Sequence, residues 1–91
     1  PGLLFDLGHI VATLGVLEAL AIHPGFIHEC VARHAGGDWG VVGRDDWKAN
    51  DDALKDGSRV LSAYVTPTGE KFWIITEADR SSTCVLLPDE Y

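Results

Sequence analysis

Residues 58–88, SRVLSAYVTPTGEKFWIITEADRSSTCVLLP, decide the fold. Residues 58–66, 71–76 and 83–87 are rich in Val, Ile, Leu, Tyr, Phe and Trp, the composition of strands. Between the first two lies Pro67-Thr68-Gly69-Glu70, where proline presets φ and glycine accepts a positive φ, and between the second and third lies the turn at 78–81. Pro88 cannot extend a ladder and ends the last strand. Three consecutive strands joined by short turns predict an antiparallel meander.

Upstream, residues 5–12 read as a further strand, although its apolar and polar positions do not separate cleanly. Thr13 is placed to N-cap a short helix through Leu14, Leu17 and Leu20. Pro24 suits the start of a second helix, whose stripe is Phe26, Ile27, Cys30, Val31 and His34, and which Gly36 and Gly37 stop. Residues 44–56 form a polar third helix with Trp47 and Leu54 on one side and Gly57 as its stop. The expected architecture is α+β, ordered β-α-α-α-β-β-β: a four-stranded antiparallel sheet with helices on one face, in one domain spanning residues 1–91, with 1–4 a flexible tail.

With 46% hydrophobic and 23% charged residues, the 91-residue chain has the composition of a folded globular protein. Its net charge of −7 argues against nucleic acid and anionic membrane surfaces as partners. The longest apolar stretch, 10–22, is broken by Thr13, Gly15 and Glu18 and is too short to span a bilayer. Cys30 and Cys84 lie in apolar runs and are expected to be buried free thiols, which fits a cytoplasmic location.

The motifs of common chemistries fail on spacing. His28-Glu29 is followed by Ala32 where a zincin helix needs its second histidine, and His28 and His34 point to different sides of a helix, so no metal site is expected among His9, His23, His28 and His34. Asp45, Asp46, Asp51 and Asp52 lack the glycine and glutamate positions of a calcium loop. Ser58, Ser81 and Ser82 sit in no nucleophile elbow, and no cofactor loop is present. Two clusters remain as candidate ligand or partner contacts. Asp38 and Trp39 lie in a glycine-rich loop, where an indole makes a good anchor or else plugs the core. Glu77, Asp79 and Arg80 gather two carboxylates and a guanidinium at a turn, for polar-ligand binding or for the turn's own hydrogen bonds.

The run Gly37-Asp38-Trp39-Gly40, the strand Ser62-Ala63-Tyr64, the segment Trp73-Ile74-Ile75-Thr76-Glu77-Ala78-Asp79-Arg80 and the ending Leu86-Leu87-Pro88-Asp89-Glu90-Tyr91 resemble a family of small uncharacterised bacterial proteins. These are carried on plasmids and integron cassettes, and some bear the label of a type I restriction subunit. The resemblance covers roughly residues 7–91 and implies a bacterial, mobile origin. It implies no activity and carries over no catalytic residue.

Strands with large apolar residues on both parities, against helices enough for one face, predict a homodimer through the uncovered face or edge. The function expected is therefore a non-enzymatic binding or regulatory module for a protein or small ligand. The alternative is a small ribonuclease toxin, because a hairpin sheet packed by helices is similar to bacterial toxins of the RelE and BrnT type. Such a toxin needs cations for RNA, a role for which Arg33, Arg44, Lys48, Arg59 and Arg80 are the candidates in a chain of net charge −7.

Overall fold

The computed structural model describes residues 3–91. In chain order its elements are β1 (His9–Ala12), α1 (Leu14–Ala19), α2 (Phe26–Ala35), α3 (Arg44–Asp56), β2 (Val60–Val65), β3 (Lys71–Thr76), β4 (Ser82–Leu86) and a 3-10 turn (Pro88–Glu90). The local signals act as read. Thr13 N-caps α1 by accepting from the Val16 amide at 3.1 Å, and Gly57, left-handed at φ 79°, ends α3. The turn at 67–70 sets β2 antiparallel to β3, with Tyr64 opposite Phe72 and Ser62 opposite Ile74.

One pairing differs from expectation. The strand order is β1-β4-β3-β2, and β1 runs parallel to β4 with His9 opposite Ser82 and Ala12 opposite Val85, so the sheet is mixed rather than wholly antiparallel. Direction is set by turn chemistry only where a tight turn joins two strands. Here three helices and a hairpin intervene, and a crossover connection delivers β1 parallel. Gly8, at φ +64°, passes so close to the Ser81 backbone that a Cβ would collide with it.

The helices also divide. Val16 of α1, Leu20 at its C-cap and Cys30 of α2 pack on one sheet face with Tyr64, Phe72, Ile74 and Val85. The third helix instead follows the outer edge of β2. Its Ala53 packs on Trp39 and Val60, while its Asp46, Ala49 and Asn50 border the opposite face. On that opposite face Ala63, Ile75 and Leu86 are buried within one chain, and the 3-10 turn sets the Tyr91 ring edge-on to Trp73 at 5.7 Å. Cys30 and Cys84 are both free; Cys30 is buried, and Cys84, facing this second side, is half-buried.

Pro1 and Gly2 of the expected tail lie outside the described residues; Leu4 donates its amide to the Ala35 carbonyl at 2.9 Å, which ties the segment to the end of α2. No helix among the described residues is long and apolar enough to cross a membrane.

Candidate functional site

Peptide groups of an edge strand need partners, and β2 finds them in a way that builds a cleft. Gly40, at φ +77°, lets the chain pass against Ala63 where any side chain would strike the Ala63 carbonyl. Ala63 then donates to the Trp39 carbonyl at 3.1 Å and accepts from the Val41 amide at 2.7 Å. The segment after this contact, Val41-Val42-Gly43, leads into α3 and stands beside the second sheet face. Together they enclose a cleft of about 430 Å³, floored by Leu61, Ala63 and Trp73 and walled by Val41, Val42, Gly43, Asp46, Ala49 and Asn50. That volume lies in the range of small-molecule sites.

Arg59 and Lys71 also line it. Arg59 precedes β2 and Lys71 pairs with Val65 at the other end, so the two cations are separated by about 20 Å of strand. The Arg59 guanidinium lies over the Tyr91 ring at 5.5 Å and donates to its hydroxyl. Among the described residues the ion pairs are Arg33 with Asp38 and Lys48 with Asp52, so neither cleft cation is neutralised by one.

On the helix-covered face a buried polar chain runs through the core. Thr83 Oγ1 donates to the Leu7 carbonyl at 2.7 Å, which uses its only proton. Thr76, 2.7 Å away, must therefore donate to Thr83, and the His34 Nε2–H must donate to Thr76 at 2.9 Å. Burial, reinforced by the Arg80 charge, pushes His34 down to about 4, so the ring is neutral and Nδ1 accepts from Ser62 at 2.5 Å. Every proton position in this chain follows from donor counting. His34, Ser62, Thr76 and Thr83 are all fully buried, so the Ser–His pair meets no substrate.

The residues singled out in sequence divide between core and turns. Trp39 is 0% exposed; its indole N–H donates to Asp51 Oδ1 at 2.9 Å, and the ring packs against Phe5 and His34. Asp38 pairs with Arg33 at 2.8 Å and accepts from the Gly40 amide, and the Arg33 bond holds its carboxyl below the usual range. Asp79 Oδ1 accepts from the Ser81 amide and hydroxyl, the turn's own bond. Glu77 contributes backbone, its carbonyl receiving Arg80 N. Arg80, at φ 61°, spends its guanidinium on the carbonyls of Ser58, Glu77 and Ala53, and at Ala53 it adds a cationic donor to a last-turn carbonyl of α3 that also accepts from the Gly57 amide. Phe5 joins the two clusters, stacked on Trp39 on one side and under the Arg80 guanidinium at 5.3 Å on the other.

No family model, curated protein or solved structure matches the chain. Its chemistry must be read from its own groups. Among the described residues no group of three or more His, Cys, Asp or Glu is placed to hold a metal ion. Burial pushes the Cys30 thiol up to about 11, far from a reactive thiolate. The cleft residues Arg59, Lys71 and Trp73 were not singled out in sequence as one site; the register across β2 and β3 is the signal that groups them on one face.

Proposed function

We propose that the chain is a non-enzymatic binding module that works as a homodimer, two copies joined antiparallel through β1. The observation that carries the reading is the difference between the two edges of the sheet. At the β2 edge, Leu61 is closed by the Asn50 side chain and Ala63 by Trp39 and Val41. At the β1 edge, bonds from His9 N to Ser81 O and Thr13 N to Val85 O turn alternate peptide groups toward β4 and leave those of Ile10 and Ala12 facing outward. Ile10 is 53%, Val11 52%, Leu14 73% and Leu17 49% exposed around them.

An unguarded edge of this kind invites another strand, and natural sheets protect such edges with charges or proline. From residue 7 to residue 17 this chain has no Asp, Glu, Lys, Arg or Pro. On a molecule of net charge −7, that neutral stretch is where two copies approach with least repulsion. A two-fold antiparallel pairing is complementary to itself by symmetry. The non-enzymatic part of the reading is supported by the sealing of His34, Ser62 and Cys30 inside the core.

Sedimentation at micromolar concentration tests it. The expected species has twice the 9.8 kDa of one chain. Ile10→Pro removes one outward N–H at an edge position that tolerates proline, and Val11→Lys sets like charges near one another across the two-fold axis. Both variants are expected to sediment as monomers with an unchanged circular-dichroism spectrum. A wild-type monomer overturns the reading.

A further inference from the structure

The cleft lies along β2, at the opposite edge from β1, and its lining has a sign that the rest of the molecule does not: two cations and one acid in a chain of net charge −7. The positions of those charges are specific. Arg59 and Lys71 stand at the two ends of an apolar floor made by Leu61, Ala63 and the half-buried Trp73, while Asp46 stands on the α3 wall between them. Asp46 repels an anion placed in mid-cleft, so negative charge is best seated at the ends. Tyr91 restrains Arg59 through its ring and its hydroxyl, which lowers the entropy lost when the guanidinium takes a ligand. Trp73 offers a flat surface on which an aromatic body can stack.

We infer that the cleft binds an elongated small molecule with a flat apolar middle and an anionic group at each end. One end pairs with Arg59, whose planar fork suits a carboxylate, and the other with Lys71. The backbone separation of about 20 Å, less the inward reach of two long side chains, leaves roughly 10 Å between the anionic groups. The site does not depend on the dimer, since it shares no residue with β1, and failure of either leaves the other standing.

Biphenyl-4,4′-dicarboxylate and biphenyl-4-carboxylate are suitable probes, titrated by calorimetry at low salt, with the Trp73 indole resonance followed by NMR. The dicarboxylate is expected to bind about fivefold or more tightly than the monocarboxylate, the upper range of one exposed charge pair. Arg59→Gln and Lys71→Gln, both exposed side chains whose loss spares the core, are each expected to remove that advantage. Asp46→Asn is expected to tighten both probes. Equal affinity for the two acids, or an advantage that survives both glutamine variants, overturns the inference, as does binding that leaves the Trp73 resonance unmoved.

Discussion

Asn50 stands in for a strand. Its carboxamide donates to the Leu61 carbonyl at 2.7 Å and accepts from the Leu61 amide at 3.1 Å, the pair of bonds that a neighbouring peptide group would make. A side chain from the middle of α3 thus terminates the sheet and fixes the helix against it.

Asn50→Ala leaves both Leu61 groups without that partner and is expected to cost about 2 kcal/mol or more of unfolding free energy. Asn50→Asp keeps an acceptor for the amide but sets a carboxylate oxygen against the Leu61 carbonyl, and should be at least as destabilising. Denaturant midpoints check both, and the Leu61 amide should exchange its hydrogen faster in each variant. A wild-type midpoint for Asn50→Ala would show that solvent replaces the carboxamide without loss.

His34 makes stability depend on pH. Its native value of about 4 lies below the 6.5 of a free histidine, so between these two the unfolded chain binds more protons than the native one. Stability is then fully present above 6.5 and falls as pH is lowered to 4, by about 3 kcal/mol in all. His34→Gln should flatten the decline between pH 6.5 and 4, and nitrogen chemical shifts should show Nδ1 unprotonated at pH 7. A His34 ring that titrates near 6.5 in the native protein would contradict the buried chain.

Arg80 couples two regions. Arg80→Ala removes the donors to Ala53, Ser58 and Glu77 and should destabilise by about 2 kcal/mol, with the left-handed backbone unrelieved because alanine keeps the Cβ. Because the Arg80 charge helps to hold His34 down, the same variant should raise the His34 titration, and Arg80→Lys should leave it lower than Arg80→Ala does.

Trp39 is a core residue in energetic effect. Trp39→Ala should cost about 3–5 kcal/mol, and Trp39→Phe, which loses the bond to Asp51, about 1 kcal/mol. Asp51→Asn should be milder than Trp39→Ala. If Trp39→Ala unfolds at the wild-type midpoint, the indole contributes no packing.

Much of the architecture was legible because it is encoded locally. Pro67 and Gly69 fix the hairpin, Thr13 opens α1, and Gly57 stops α3, each by a preference that acts within a few residues. What was not legible depends on register between distant segments. His34 meets Ser62 and Thr76 at separations of 28 and 42 positions, and only the pairing of β2 with β3 puts those two hydroxyls under one helix. Trp39 finds Asp51 across 12 positions, in an acidic run that by composition reads as a solvated helix face. The parallel direction of β1 was hidden for a related reason, because no tight turn joins it to β4. The split of α3 from the other helices was hidden as well, since its polar sequence does not say that Asn50 will bond to an edge.

The parallel pairing of β1 with β4 also sets a timetable. On the ribosome β1 emerges ahead of the other described elements, yet the strand it pairs with is the last of the four, and at 5–20 residues per second the interval is roughly 4–15 s. For that time β1 has neither its sheet partner nor any charged neighbour from Leu7 to Leu17 to discourage association with other nascent chains. The vulnerable period of this protein is thus its own synthesis, when the neutral stretch is bare on both sides.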